Sequence, residues 1–188
     1  LLFDGLLTWG AFTYPLAFLV TDVMNRVYGT AAARKVVLAG LVAGIACSLI
    51  GSQIMLESDG FTYPAVALRV AIGSASAFAV AQVLDIAVFD RLRAQSWWKA
   101  PLASTLVGSS VDTVIFFSIA FAAAFNGFSA VAAEQVIWAQ DSVPFMNIGP
   151  VVPLWVSLAV ADWGVKLTVA LLALVPFRLL VGRLQRAA

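Results

Sequence analysis

The chain has 188 residues, of which 62% are hydrophobic and 11% charged, with a formal net charge of +1. A soluble domain carries about 25% charged residues, so this chain has too few polar groups to cover a folded surface in water. These values exclude soluble enzymes, nucleic-acid-binding modules and disordered proteins. They leave an integral membrane protein with no bulk charge for an anionic partner.

The chain offers few residues for catalysis or metal binding. It contains no histidine, which removes Ser–His and Cys–His catalysis and histidine-ligated metals. Cys47 is its one cysteine, too few for an internal disulfide or a thiolate metal site. The Gly-x-Gly-Asp motif of intramembrane aspartyl proteases is also absent from the sequence. We therefore predict no enzymatic activity, no metal and no cofactor.

Five segments are apolar and long enough to cross a bilayer, for which about 20 residues suffice. They run from about Thr8 to Tyr28, from Val36 to about Leu56, from near Pro64 to about Phe89, from near Pro101 to before Asn126, and from near Pro150 or Pro153 to near Pro176. The predicted fold is all-α: a polytopic transmembrane helical bundle forming one domain over residues 1–188. Gly29 is the predicted C-cap of the first helix, and Ser58-Asp59-Gly60 a predicted turn.

Basic residues occur on one side of this topology. Three connections share nine of them: Arg26, Arg34, Lys35, Arg91, Arg93, Lys99, Arg178, Arg183 and Arg186. The other two connections, residues 57–63 and 126–149, carry no Lys or Arg. The positive-inside rule therefore predicts a cytoplasmic C-terminus. Five spans would then place Leu1 outside with no visible export signal, so we expect a sixth span before it.

Small residues recur every four positions on three spans. Such faces let helices approach closely, and we interpret them as packing surfaces rather than a dimer contact, with a homo-oligomer left open. The three sets are Gly40, Gly44 and Ser48; Ala71, Ala75 and Ala79; and Ser104, Gly108 and Asp112. In the connection before the fifth span, residues 129–140 fit either a short interfacial helix or an ordered loop.

Charged side chains inside a bilayer cost about 2.5–3.5 kcal/mol each, so those that persist have a partner or a function. Six lie within the predicted spans: Asp22, Arg69, Asp85, Asp112, Asp162 and Lys166. Spacing of four residues allows the pairs Asp162–Lys166 and Asp22–Arg26, with structural, anchoring or gating roles. Asp85 has Arg91 within two turns as an alternative partner. Asp112 has no partner in its own span, which indicates a function or a pair with Arg69 or Lys166.

Converging carboxylates, amides and aromatic rings suit a planar solute with hydrogen-bonding edges. A carboxylate accepts two parallel N–H donors, such as those of a guanine-like base. Asp85 or Asp112 is the expected acceptor, with Gln82 serving the carbonyl or amide groups of the base. Aromatic residues able to stack on its face are Phe78, Phe116, Phe117 and Trp163. Carboxylates equally suit protons or Na⁺ as coupling ions, and the sequence does not separate these uses.

Several motifs extend over nearly the whole chain. They are Thr8-Trp9-Gly10-Ala11-Phe12-Thr13-Tyr14-Pro15, Asn25-Arg26-Val27-Tyr28-Gly29, Gln82-Val83-Leu84-Asp85, Trp97-Trp98-Lys99-Ala100-Pro101 and Asp112-Thr113, followed by Asp162 and Lys166. With them the chain resembles the queuosine precursor transporter family of bacterial inner-membrane proteins, also called vitamin-uptake-transporter-like. It departs from the family in a longer connection after the fourth span and in Asp90, where the family has Asn.

The resemblance implies import of 7-cyano- or 7-aminomethyl-7-deazaguanine for tRNA modification, through six spans in the inner membrane. The expected partners are this purine-like base and the lipid bilayer, with no nucleic acid. The residues predicted to bind substrate are Asp22, Asn25, Arg69, Gln82, Asp85, Asp112, Asp162 and Lys166. Two alternatives stay open: a substrate-capturing subunit for another vitamin-like solute that needs an energising partner, and a structural membrane protein that tolerates substitution of Asp85 and Asp112.

Overall fold

Helices make up most of the computed structural model, which describes residues 10–58 and 60–187. Five of them are long: α1 (Gly10–Tyr28), α2 (Thr30–Gln53), α3 (Leu68–Leu92), α4 (Lys99–Phe121) and α6 (Leu154–Ala187). Helices α2, α3, α4 and α6 are long and apolar enough to cross a membrane. The predicted all-α polytopic bundle is therefore confirmed, while Thr8 and Trp9 of the first predicted span lie outside the described residues.

The bundle is centred on α3 and α4, which pack along each other, while α6 packs against α1 and α4. Helix α2 lies at the edge, against α1 and α3, and exposes apolar side chains such as Leu38, Val42 and Ile50. Exposed apolar helix faces suit lipid chains, because a bilayer core offers no partner to a polar group. The six charged side chains that the sequence places within the spans are accordingly buried inside the bundle.

Gly108 permits the close approach of α3 and α4. A Cβ atom at this position would lie 2.8 Å from Cε1 of Phe18 and 3.4 Å from Cβ of Asp85. Ser104 and Asp112, on the same face of α4, are also buried. The packing interpretation is confirmed for α4. For α2 it is wrong at Gly44, where a Cβ atom would meet nothing within 4 Å.

The connections at one end of the bundle contain two antiparallel hairpins. Strands β1 (Met55–Ser58) and β2 (Phe61–Pro64) pair with Met55 opposite Pro64, around the predicted turn, in which Gly60 has φ of 79°. Strands β3 (Ser142–Pro144) and β4 (Val151–Pro153) pair with Ser142 opposite Pro153. The prediction that the third helix begins near Pro64 is wrong, because residues 61–64 pair as a strand and α3 begins at Leu68.

Other helix ends also differ from prediction. Helix α2 begins at Thr30, directly after Gly29, whose φ of 87° confirms the predicted end of α1. Helix α4 ends at Phe121 and a 3-10 helix follows at Ala123–Phe128. The predicted end of the last helix near Pro176 is wrong: α6 continues to Ala187. Proline costs the helix a hydrogen bond. The helix nevertheless continues because the next residue, Phe177, is buried against Phe89, with ring centroids 6.2 Å apart.

The connection between α4 and α6 is partly helical. It contains α5 (Ala130–Glu134) and a 3-10 helix at Ile137–Gln140. The Ser129 side chain begins α5 by accepting a hydrogen bond from the backbone N–H of Ala132. A short helix therefore forms within residues 129–140, while its location at the membrane interface stays a prediction. Val136 from this connection packs on Phe117, Phe121 and Leu158 in the hydrophobic cluster at this end of the bundle.

Candidate functional site

Lys166 on α6 lies between two carboxylates in the interior of the bundle. Its Nζ is 2.7 Å from Oδ2 of Asp112 on α4 and 2.5 Å from Oδ2 of Asp162 on its own helix. Thr113 adds a hydroxyl, which donates to Oδ2 of Asp162 at 3.1 Å. All four side chains are buried. The predicted Asp162–Lys166 pair is confirmed, and so is the pairing of Asp112 with Lys166 across two helices.

This group, the Asp112–Lys166–Asp162 triad, has more acceptors than donors. One ammonium group faces two carboxylates, which leaves one formal negative charge. Oδ1 of Asp112 is buried and accepts no hydrogen bond from any residue that the structure describes. An unsatisfied buried acceptor is costly, so this oxygen is the natural attachment point for a ligand with N–H donors.

A cavity of about 620 Å³ borders the triad. This volume lies within the ~300–1,000 Å³ range of small-molecule sites. Its walls are largely aromatic, contributed by α1, β2, α4 and the 3-10 helix before β3; the rings are Tyr14, Tyr63, Phe116, Phe117, Phe121 and Trp138. Aromatic faces beside a charged acceptor suit a flat, partly polar ring system.

Two of the four aromatic residues that were predicted to stack on the base line this cavity. Phe116 and Phe117 do, whereas Phe78 lines a second cavity. Trp163 faces away and donates its indole N–H to Oγ of Ser110 at 2.9 Å. Sequence reasoning missed Tyr14, whose ring centroid lies 5.5 Å from Nζ of Lys166. Its place directly before Pro15 in the first-span motif was the available signal.

The second cavity, of about 360 Å³, lies between α1, α2 and α3. Gly40 and Gly44 contribute its α2 wall, and Phe78 part of its α3 wall. Tyr14 and Ser74 line both cavities. These two side chains therefore stand where the two spaces meet.

A separate polar group lies between α1, α3 and α4. Asp22 accepts hydrogen bonds from Ser104 at 3.1 Å and Thr105 at 3.3 Å. Asp22 and Asp85 lie in the same stretch of the α1–α3 interface, between the Thr21–Gln82 and Asn25–Ile86 hydrogen bonds, and neither oxygen of Asp85 accepts a hydrogen bond from a described donor. Oε1 of Gln82 accepts from the Thr21 hydroxyl at 2.8 Å, while its Nε2 has no partner among the described residues.

The predicted Asp22–Arg26 ion pair is wrong. No ion pair among the described residues involves Asp22. Arg26 donates instead to the backbone carbonyls of Arg93 at 2.5 Å and Trp97 at 3.5 Å. The alternative of Asp85 pairing with Arg91 is also absent from the described part of the chain. Asn25 has a structural contact, because its Nδ2 donates to the carbonyl of Ile86 at 3.4 Å.

Arg69 joins the end of α4 rather than a carboxylate. Its guanidinium donates to the carbonyls of Ile119 at 3.0 and 3.1 Å and Ala122 at 2.8 Å, and to Oδ1 of Asn126 at 2.7 Å. The last carbonyls of a helix have no partner within it, so Arg69 caps α4. The alternative pair Asp112–Arg69 is therefore not formed.

The eight residues predicted to bind substrate thus occupy three places. The triad borders the larger cavity, Arg69 caps α4, and the remaining four lie near the α1–α3 interface. Those four are Asp22, Asn25, Gln82 and Asp85. Neither cavity is lined by any of the four.

A sequence model of the family described as "Putative vitamin uptake transporter" matches residues 8–181. The chain is 34% identical over 176 residues to a Haemophilus influenzae protein named "Probable queuosine precursor transporter", covering 90% of this chain and 66% of that protein. It is 40% identical over 121 residues to the Escherichia coli "Queuosine precursor transporter", covering 61% of this chain and 55% of that protein.

A Bacillus subtilis protein named "Probable queuosine precursor transporter" is 32% identical over 134 residues, covering 64% of this chain and 58% of that protein. The chain therefore spans less than two thirds of the length of these three relatives. No solved structure matches the chain.

Proposed function

The chain belongs to the vitamin uptake transporter family, and from this membership we propose that it imports 7-deazaguanine precursors of queuosine. The candidates are the 7-cyano and 7-aminomethyl bases, used after uptake for tRNA modification. The names of the three relatives support this substrate class. The observation that carries the proposal is Oδ1 of Asp112, which accepts no hydrogen bond from the described residues and belongs to a triad that borders a cavity with aromatic walls.

The proposed binding mode follows from the chemistry of the cavity. Asp112 accepts the N–H edge of the base, as carboxylates do with two parallel donors. Tyr14 and Phe116 contact its ring faces. The formal negative charge of the triad also favours a protonated aminomethyl group over a neutral substituent, because opposite charges attract strongly where water is excluded.

The orientation is proposed on the distribution of charge. The chain is a multi-pass membrane protein, and Arg178, Arg183 and Arg186 lie in the last turns of α6. Glu57 and Asp141 lie at the opposite end, with the hairpins. Positive residues remain on the cytoplasmic side of membrane proteins. We therefore place the C-terminus in the cytoplasm, the membrane being the bacterial inner membrane, and the larger cavity toward the outer side.

Rescue of queuosine synthesis tests the function. The full-length protein is expressed in bacteria that neither make queuosine nor import its precursors, each base is supplied at low concentration, and queuosine is measured in tRNA. We expect rescue by the unaltered protein. In Asp112→Asn we expect uptake to fall by about tenfold or more, since a bidentate contact to a base edge contributes ~1–3 kcal/mol.

Asp90→Asn is the matched control. It makes the same chemical change on α3. Asp90 is half exposed, however, and its ion-pair partner is Arg93, at 3.3 Å, rather than a residue of the triad. We expect rescue equal to that of the unaltered protein. Full rescue by Asp112→Asn at equal expression would contradict the site. Absence of rescue by the well-expressed unaltered protein would contradict import, and co-purification of an ATPase would then support a substrate-capturing subunit.

A further inference from the structure

Asp22 and Asp85 are a pair of buried carboxyl groups on facing stretches of α1 and α3, and the proposed substrate site uses neither of them. Asp22 is 2% exposed and Asp85 is fully buried. The Ser104 hydroxyl on α4 is directed to Asp22 or to the carbonyl of Pro101. Asp85 is left with two acceptor oxygens and no donor from the described residues. One turn earlier on α3, Nε2 of Gln82 also has no hydrogen-bond partner among the described residues.

Among the residues that the structure describes, none near the pair supplies a compensating positive charge. Helix α4 presents the hydroxyls of Ser104 and Thr105, and α6 presents the apolar Ala170, Ala173, Leu174 and Phe177 beside Asp22. On α1 the nearest cation is Arg26, one turn from Asp22, but its guanidinium donates to the carbonyls of Arg93 and Trp97 in the connection between α3 and α4. Arg93, the cation in that connection, bonds Asp90 and the backbone carbonyl of Asn25.

Two ionised carboxylates cannot share such a site without a bound positive charge, because each disfavours the charged form of the other. The space available decides which cation fits. The void on the α4–α6 side of Asp22, which Asp85 does not line, measures about 10 Å³, at or below the ~10–15 Å³ that one water molecule needs. On the other side, Gly108 brings α4 within contact distance of Asp85. A proton needs no volume, whereas a sodium ion or a base would.

We propose that the Asp22–Asp85 pair holds one exchangeable proton, and that this proton is the coupling ion for import; the second part rests on the proposed function. The O–H of one carboxyl donates to the carboxylate of the other, which gives Asp85 its missing partner. Transport requires this O–H bond to form with a proton from outside and to break with release of the proton to the cytoplasm. One positive charge therefore accompanies each base.

Loss of the proton from the pair would also change how α1 packs against α3 and α4. Asp22 joins α1 to α4 by accepting hydrogen bonds from Ser104 and Thr105, and the proposed O–H bond to Asp85 joins α1 to α3. Loss of the proton leaves two negative charges in contact, and their repulsion drives α1 away from α3 and α4. Tyr14, which lines both cavities, lies two turns earlier on the same helix. A displacement of α1 therefore moves the wall between the two cavities.

Transport into vesicles tests the coupling. The purified full-length protein is reconstituted into liposomes, and accumulation of labelled 7-cyano-7-deazaguanine is measured under an imposed pH gradient or an imposed sodium gradient. We expect accumulation with an acidic exterior, up to about tenfold per pH unit for one proton per base, and none from sodium. Accumulation driven by sodium, or indifferent to both gradients, would overturn the coupling while leaving the proposed function intact.

The Asp85→Asn variant separates coupling from binding, since an amide resembles a permanently protonated carboxyl. We expect it to lose accumulation driven by the pH gradient and to retain exchange of external for internal base, which needs no net proton movement. Asp22→Asn serves as the second variant should Asp85→Asn fail to fold, and Asp90→Asn is the control that behaves like the unaltered protein. Retained accumulation in both folded variants would overturn the proposal.

A readout without substrate keeps the proton testable if import itself fails. Infrared spectroscopy of the purified protein at neutral pH detects the carbonyl stretch of a protonated carboxyl group. We expect this band in the unaltered protein and in Asp90→Asn, and its loss in Asp85→Asn and Asp22→Asn, because the introduced amide donates to the remaining carboxylate. Absence of the band from the unaltered protein would overturn the proton pair whatever the transport assay shows.

Discussion

Lys166 on α6 reaches across the bundle interior to Asp112 on α4, with 2.7 Å between Nζ and Oδ2. Residues 54 positions apart in the chain thus share one buried charge group. Asp162 completes it from the preceding turn of α6. One ammonium group serves two carboxylates. Removal of Lys166 therefore leaves both carboxylates without a cation, whereas removal of either aspartate leaves Lys166 with the other.

Lys166→Met is expected to lower the free energy of unfolding by ~3–5 kcal/mol, because it leaves two buried carboxylates without a cation. Unfolding in detergent, followed by circular dichroism during a denaturant titration, measures the change. Lys99→Met removes an exposed lysine from the first turn of α4 and is expected to shift stability by less than about 0.5 kcal/mol. Equal stabilities for the two variants would contradict the structural role of the triad.

Gly108→Ala is expected to destabilise the protein by ~1–3 kcal/mol. The new Cβ atom would lie 2.8 Å from the ring of Phe18, which is itself buried and cannot move aside freely. Gly44→Ala is the matched control, because its Cβ atom enters open space and alanine favours the helix by ~1 kcal/mol. The same unfolding titration compares them, and a Gly108→Ala protein as stable as Gly44→Ala would refute the close contact.

Arg69→Lys is expected to loosen the end of α4. A lysine ammonium cannot replace the planar guanidinium that bonds Ile119, Ala122 and Asn126 together. We expect a stability loss of ~1–3 kcal/mol and faster amide hydrogen exchange in residues 122–128. Arg91→Lys alters an exposed arginine on α3 and provides the control. Unchanged exchange in residues 122–128 would show that Arg69 does not cap the helix.

The orientation is testable by cysteine labelling. Cys47 is exposed, so it is first replaced by serine, a change expected to be silent. In that background, Asp141→Cys is expected to react with a membrane-impermeant maleimide in intact cells, whereas Gln185→Cys reacts only after the cells are permeabilised. Both positions are exposed, so accessibility within the protein does not confound the comparison. The reverse pattern would invert the proposed topology.

Much of the bundle was predictable from the sequence because the bilayer imposes simple rules. A span must be apolar over about 20 residues, and its basic flanks share one side. These rules predicted the helical bundle, and spacing of four residues predicted the Asp162–Lys166 pair. Helix ends were predicted less well. Pro64 belongs to a hairpin and Pro176 lies within a helix, since proline's local preference yields to strand pairing or side-chain packing.

The candidate site was predictable in residue type but not in grouping. The sequence marked eight polar residues as unusual for a membrane interior, because the energetic cost of burying them is independent of the fold. Only the tertiary structure decided that Arg69 caps α4, that Asp22 bonds Ser104 and Thr105 rather than Arg26, and that Tyr14 borders Lys166. Partners from different helices depend on how the helices pack and rotate against one another, which spacing along a single helix does not encode.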